Sequence, residues 1–285
     1  MQQKPTMNKS PLRYPGGKTR ACKVLHSIIS ERFDMSQVRR LRSPFFGGGS
    51  FEMHLQNLYP HLQVIANDKY KPLICFWTAC KHHNQHLAEA VAAVQAAGVL
   101  KEDFDRHKLN IANDANASEG DPEGSSLSSL LSTARDFYVI NRCSFSGCTM
   151  SGGFSPAAKR FTPSSVARIA ALNLDRYTFH QGDFDAFLHL DSTGADLLFV
   201  DPPYALERGS TLYGSNGNLH RDFDHERLRD TLLRHPNWVL TYNDCEQVRE
   251  MYAGVPGVEF IDGVEWSYGM NKSKLSNELV LVRRA

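Results

Sequence analysis

The 285-residue chain has no apolar run approaching the ~18 residues of a membrane-spanning helix, which excludes a helical integral membrane protein. Its start, MQQKPTMNKS, carries no apolar signal core, so the sequence predicts a cytoplasmic protein rather than a secreted one. Cysteine is scarce: six residues, at 22, 75, 80, 143, 148 and 245, with no Cys-x-x-Cys pair among them. Reduced thiols are the expectation in that compartment. Neither charge sign is in excess, since 32 Lys and Arg against 31 Asp and Glu leave a net charge of +1. Any nucleic-acid surface must therefore be a local patch. Glycine and proline, 20 and 13 residues, are too few for a fibrous or low-complexity chain, and no internal repeat is present. The twelve histidines do not assemble a metal site. His82, His83 and His86 share a helical stretch, but no carboxylate or thiolate completes a ligand set there, and no metal is expected.

What is present is an ordinary globular balance, 41% hydrophobic and 22% charged, which excludes wholesale disorder. At roughly 150 residues per domain, the length fits one large α/β unit or a core carrying an insert. Short β-branched runs with turn signals at their C-terminal ends read as strands of a parallel sheet. They are Gln63 to Asp68, Tyr177 to Asp183, Asp196 to Asp201 and Asn237 to Asn243, with Arg39 to Phe46 less regular. DLLFVD has four apolar residues in a row, as a strand covered on both faces should. The last 28 residues read as an antiparallel pair joined by a polar loop.

Between these blocks, Leu73 to about Leu109 is rich in Ala, His and Gln with helical periodicity. Asn110 to Ser129 has four acids, no base and many turn residues, which predicts a mobile loop. From Phe137 to Leu174 there are four bases (Arg142, Lys159, Arg160 and Arg168) and no acid over 38 residues. The division that follows is a core of 1–76 and 173–285 with an insert at 77–172.

The strongest chemical signal is Asp201-Pro202-Pro203-Tyr204, directly after the buried strand. Ligands of open α/β sheets sit at the C-terminal ends of strands. Two prolines fix the backbone and remove two donors, leaving a carboxylate, a free carbonyl and an aromatic face. An exocyclic amine on a flat ring needs those three features: two acceptors and a stacking partner. A structural turn with a surface tyrosine is the plainer alternative.

Three weaker signals accompany it. Pro44-Phe45-Phe46-Gly47-Gly48-Gly49-Ser50 leads into a helix, and its glycines would let the backbone approach a ligand, although the full G-x-G-x-x-G spacing is missing. Asp68 ends a strand nineteen residues after Gly49, where nucleotide-binding folds place a ribose-binding carboxylate; a helix N-cap is the alternative role. Arg13-Tyr14-Pro15-Gly16-Gly17-Lys18 invites a phosphate-loop reading that fails, because Leu12 stands where a glycine is required and no strand precedes it. A backbone nest with a lysine could hold a carboxylate instead. Gly182-Asp183-Phe184, at another strand end, could offer a carboxylate and a ring to an adenine.

In this order the segments RYPGGK, PFFGGGSFEMHL, ANDKYKPLI, FYVINRCSFSG with GGFS, GDF, FVDPPY, TYND and MNKSKLSNELVLV resemble the Dam-type (D12 class) adenine-specific DNA N6-methyltransferases across nearly all of 10–285. The resemblance implies a Rossmann-like class I methyltransferase sheet, mainly parallel with one late reversed strand, plus a helical target-recognition insert. It also implies S-adenosylmethionine as cofactor and double-stranded DNA as partner, with room for a cognate restriction endonuclease. Tyr14, Gly17 and Lys18 would hold the methionine end, Phe46, Gly47 and Gly49 would line the cofactor, and Asp68 would take the ribose. Asp183 and Phe184 would hold its adenine. Asp201, Pro202, Pro203 and Tyr204 would engage a flipped target adenine.

The insert departs from the family. Where Asn-Gly-Leu and a following Arg and Asn touch DNA in Dam-type enzymes, this chain has Ser146-Gly147-Cys148-Thr149-Met150-Ser151, so a GATC target does not carry over. Arg142, Lys159 and Arg160 are the expected phosphate contacts. A cytosine-N4 or RNA-adenine methyltransferase could use the same DPPY geometry, and a catalytically silent S-adenosylmethionine-binding regulator stays open. A protein-glutamine methyltransferase is disfavoured, since its amide target calls for Asn at the first motif position.

Overall fold

A computed structural model describes residues 7–117, 126–156, 160–190, 193–204, 223–265 and 278–284. Seven strands form one sheet: β1 (Arg40–Ser43), β2 (Gln63–Asp68), β3 (Tyr177–Gln181), β4 (Asp196–Val200), β5 (Trp238–Asn243), β6 (Val258–Val264) and β7 (Glu278–Arg283). Their spatial order is β3-β2-β1-β4-β5-β7-β6. The first five pair in parallel with one another, whereas β7 runs antiparallel to both β5 and β6. The expected Rossmann-like sheet with one late reversed strand is therefore the observed one. Strand order changes direction between β1 and β4, which puts the crevice of the sheet beside the ends of those two strands.

The helices are α1 (Cys22–Ser30), α2 (Ser50–Leu58), α3 (Lys71–His82), α4 (Asn84–Ala97), α5 (Lys101–Ala117), α6 (Leu127–Cys143), α7 (Pro163–Ala170), α8 (Phe184–Leu188), α9 (His225–Leu232) and α10 (Glu246–Tyr252). None of the described helices is long and apolar enough to cross a membrane. Side chains alternate along β4, as the period of two requires. Leu197 and Phe199 join Leu25, Ile29, Phe51 and Leu55 of α1 and α2 on one face. Leu198 and Val200 join Phe187, Leu228 and Leu232 of α8 and α9 on the other. Both faces are thus covered, which is why DLLFV reads as an unbroken apolar run.

A third buried cluster runs from Val64 and Phe179 on the sheet through α3 to Phe137, Tyr138 and Phe161. Every residue of α3 from Pro72 to Cys80 is buried, so this helix is packed on all sides between the sheet and α6. Much of the stretch expected as a loop, 110–129, is helical. Residues 110–117 complete α5, and α6 begins at Leu127 with Ser126 as its N-cap; 118–125 lie outside the described residues. The polar residues that look like loop are used between helices. Asn110 donates to Asp136 at 2.8 Å, Thr133 donates to Asp114 at 2.7 Å, and Ile111 is buried between them.

Candidate active site

Asp201 follows β4 directly, and its carboxylate is held from two sides. Lys18 Nζ donates to Oδ1 at 2.6 Å and to Oδ2 at 2.7 Å, and Thr241 Oγ1 of β5 donates to Oδ1 at 2.7 Å. A carboxylate offers about four acceptor positions. Three are filled by these bonds, which leaves one, on Oδ2. Pro202 is buried, and Pro203 and Tyr204 are half-buried. The Tyr204 ring lies 5.0 Å from Lys18 Nζ and 5.9 Å from the Tyr242 ring, and its hydroxyl donates to Glu278 Oε2 at 2.7 Å.

Lys18 differs from its expected role. Its ammonium also donates to the Gly16 carbonyl at 3.0 Å, so contacts to three acceptors match its three donors. The side chain is 3% exposed. A buried ammonium needs a counter-charge, and Asp201 supplies one. Thr241 lies inside the quoted TYND segment, but the sequence alone does not show which of its residues faces β4.

The two glycine segments meet each other. Gly17 N donates to the Tyr14 carbonyl at 3.1 Å, closing a turn that lays the Tyr14 ring on the loop after β1. A Cβ on Gly47 would stand 2.7 Å from that ring, and Gly47 has φ +48°. Glycine is therefore required there by Tyr14, not only by a ligand. Phe46 is corrected too: its side chain is 3% exposed and packs against Trp77, Tyr177 and Phe179, so only its backbone can line a site. Gly49 N donates to the Phe46 carbonyl at 2.8 Å, which ties the loop into α2.

Asp68 is half-buried at the end of β2. Gly47 N donates to its Oδ2 and Tyr70 N to its Oδ1, both at 3.0 Å. Neither bond is a ribose contact, and Asp68 is not the N-cap of α3, which is Tyr70: the Tyr70 bond closes a turn just ahead of α3, and the Gly47 bond braces the loop. Burial pushes the Asp68 acid up to about 6, and the backbone donors of Tyr70, Gly47 and Lys69 oppose that shift. Each oxygen keeps acceptor capacity for a hydroxyl.

Asp183 caps α8 through the Asp185 amide at 3.0 Å, and Arg227 Nη2 donates to both its oxygens at 2.9 Å. Phe184 is 4% exposed and lies among Phe45, Phe223 and the Arg227 guanidinium, which sits 4.6 Å from the ring centre. The ring face expected to meet an adenine is thus covered. Half-buried Phe45 and Asp183 are the more exposed groups at this end of the sheet.

Glu52, on α2 behind the loop, was not anticipated. It is 3% exposed and accepts a hydrogen bond from Ser43 Oγ at 2.7 Å. Burial pushes its acid up to about 7; the Ser43 bond and Lys18 oppose that shift, and the Asp201 charge adds to it.

In the insert the structure overturns one expectation. Arg142 is 8% exposed, with its guanidinium donating to the backbone carbonyls of Pro11 and Arg160. It joins α6 to the N-terminal segment, and its buried guanidinium is committed to backbone carbonyls. Burial lowers its pKa, as it does for any cation. Arg160 is half-buried and donates to Ser155 and to the Pro156 carbonyl; Lys159 lies outside the described residues. Arg13, named in the sequence only as the first residue of the RYPGGK segment, lies near Arg142 and Arg160. Its pKa is lowered first by burial and then by Arg160 and Arg142, which shows three guanidinium groups within each other's field. Asn141, fully buried, clamps this region by accepting from Arg13 N at 3.0 Å and donating to the Arg13 carbonyl at 2.7 Å.

No curated protein sequence matches the chain. Among solved structures, the rRNA methyltransferase aviRa from Streptomyces viridochromogenes is similar at 12% identity, over 99% of this chain and 90% of that one. The TM-score is 0.38, too low to bear on fold or substrate. The family model for the D12 class N6 adenine-specific DNA methyltransferases matches residues 14–270, from Tyr14 beside the Gly47 loop to beyond β6. With the DPPY turn at the crevice of a Rossmann-like sheet, a match of that extent settles the family: the chain belongs to the D12 class N6 adenine-specific DNA methyltransferases, and it is a methyltransferase.

Proposed function

We propose that the protein transfers a methyl group from S-adenosylmethionine to the N6 amine of an adenine swung out of duplex DNA. The observation that carries this reading is the acceptor count at Asp201. One acceptor position remains on Oδ2, and the Pro202 backbone carbonyl supplies a second, a pair that matches the two N–H bonds of one amine. Tyr204 supplies the ring face beside them.

The residues at the strand ends fit the cofactor by the chemistry of their donors and acceptors. Asp68 offers acceptor-only oxygens to ribose hydroxyls, Asp183 offers an acceptor to an amine, and a Cβ on Gly182 would meet no heavy atom within 4 Å. S-adenosylmethionine, when bound, supplies the electrophilic methyl group. A ring amine is a poor nucleophile because its lone pair is conjugated. Hydrogen bonds from the amine to Asp201 and Pro202 localise that pair on nitrogen, and the Asp201 charge stabilises the positive charge that develops there. Tyr204 holds the ring in line. No covalent enzyme intermediate is involved, so no cysteine is required; burial pushes the thiol of Cys22 on α1, which contacts the Lys18 carbonyl, up to about 11 and keeps it protonated. The insert, 77–172, is assigned to target recognition. In this reading half-buried Arg13 and Arg160, which also donate to the carbonyls of Ser144, Ser155 and Pro156, replace buried Arg142 as the cations that would meet phosphates beside the insert.

The test supplies methyl-labelled S-adenosylmethionine with duplex DNA from a methylation-free host, with adenine-free duplex and with RNA. Label recovered as N6-methyladenine from the first substrate alone is the expected result. Label in adenine-free DNA would make the enzyme a cytosine-N4 methyltransferase, label in RNA alone would move the substrate to RNA, and no label anywhere would overturn catalysis.

A further inference from the structure

We infer that Glu278 is a positioning residue for methyl transfer, holding Tyr204 through its hydroxyl. This rests on the DNA-adenine reading above for the reaction, but the contact itself stands on geometry. Glu278 opens β7, the reversed strand of the sheet, and pairs in register with Asn243, the last residue of β5. Because β7 runs backwards, its first residue lies where the parallel strands end. A forward strand in that slot would place its last residue there instead. The reversal thus brings a residue from the far end of the chain, 74 positions after Tyr204, to the DPPY turn.

Glu278 is 2% exposed, yet it is an acid. Burying a carboxyl group is unfavourable unless hydrogen bonds compensate, and the Tyr204 hydroxyl provides one at 2.7 Å. An apolar residue would continue the run Leu279–Val282 at less cost in desolvation. The acid at this position gives the Tyr204 hydroxyl an acceptor that an apolar residue would not. The DPPY side chains are then matched by partners from successive strands: Thr241 of β5 holds Asp201, and Glu278 of β7 holds Tyr204. Two prolines fix the backbone between those side chains, but the tyrosine ring retains its own torsions. Anchoring the hydroxyl removes that freedom and keeps the ring face turned to the incoming base.

Single-turnover methylation with Glu278→Ala, Glu278→Gln, Tyr204→Phe and the Tyr204→Phe/Glu278→Ala double variant tests the inference. Glu278→Ala should slow the chemical step about ten- to a hundredfold, the scale of misplacing a reacting group. S-adenosylmethionine affinity should be unchanged. Glu278→Gln keeps an acceptor of the same shape and should restore the rate to within about threefold of the parent. In the Tyr204→Phe background, Glu278→Ala should add no further loss. Equal losses in both backgrounds would overturn the inference, because Glu278 would then act on something other than the hydroxyl. Fluorine resonance from 3-fluorotyrosine placed at 204 provides a measurement independent of turnover and substrate. A shift in Glu278→Ala that Glu278→Gln does not show supports the contact, and an unmoved signal refutes it. If the parent protein methylates nothing, the functional reading falls, and the fluorine signal still decides the role of Glu278.

Discussion

Replacing Glu52 by glutamine should remove a pH dependence of stability that the parent protein carries between about pH 4.5 and 7. The acid is 3% exposed, and burial pushes it from its ordinary 4.5 up to about 7. Between those values the unfolded chain has lost this proton and the folded protein keeps it. Unfolding releases the proton, so rising pH favours the unfolded state. The loss is about 1.4 kcal/mol per unit, or about 3 kcal/mol across the window, and it stops above the folded value. Glutamine has the shape of the protonated acid, and its carbonyl can accept the Ser43 hydroxyl in the same place. Asp68, raised to about 6, adds a decline of its own, but it does so in both proteins and cancels in their difference. Urea titrations of the two proteins at unit intervals from about pH 4.5 to 8 measure that difference. It should grow toward the glutamine variant by about 3 kcal/mol and then level off. A difference that stays constant would show that Glu52 does not change its charge on folding. One that moves toward the parent would show that Glu52 is an ionised partner of Lys18, and the desolvation argument would fail.

Lys18→Met should remove methylation and destabilise the fold by about 3–5 kcal/mol by leaving the Asp201 charge uncompensated, while adding Asp201→Asn should recover much of the stability and none of the activity, as thermal unfolding and labelled-methyl transfer would show. Asp68→Ala should weaken S-adenosylmethionine binding by about 1.5–3 kcal/mol in calorimetry; a loss of stability with unchanged affinity would leave Asp68 only its role at the start of α3. Arg142→Ala should destabilise the protein by about 1–3 kcal/mol for each carbonyl left without its donor, without altering the salt dependence of DNA binding. Arg13→Ala and Arg160→Ala should instead each lower the slope of log affinity against log salt by about 0.9, and an unchanged slope would place the DNA on another surface.

The sheet was legible because its signals are local. Leu197 to Val200 is apolar throughout since both faces of the strand are covered, and the antiparallel pairing of β6 with β7 was read from the two strand-like runs within the last 28 residues. The DPPY turn was legible for the same reason: its rigidity and its place after a strand are written in adjacent residues. What stayed hidden depends on partners distant in sequence. Lys18 reads as a ligand for an anion, and it is one, but the anion is Asp201, 183 residues away. Arg142 reads as a surface cation because its acceptors, the carbonyls of Pro11 and Arg160, have no signature of their own. Adjacent Phe45 and Phe46 are identical residues on a short loop, and only packing decides that the second turns inward against Trp77. Polar residues 110 and 114 look like loop until α6 presents Asp136 and Thr133 to them.

Three groups at the crevice end of the sheet take a polar partner from strands β1, β5 and β7. Ser43, the last residue of β1, holds Glu52; Thr241, within β5, holds Asp201; Glu278, the first residue of β7, holds Tyr204. Elsewhere along these strands the buried side chains are largely apolar, in clusters that continue from face to face. An apolar side chain in any of the three places would avoid desolvating a hydroxyl or an acid, but it would leave the carboxylates and the ring of this crevice without fixed orientations. With Asp201 pinned by Lys18 and Thr241, its remaining acceptor position points one way before any substrate arrives. Preorganised acceptors act on the developing charge without first having to reorient. The polar partners that weaken this end of the core are therefore the ones that make its geometry definite.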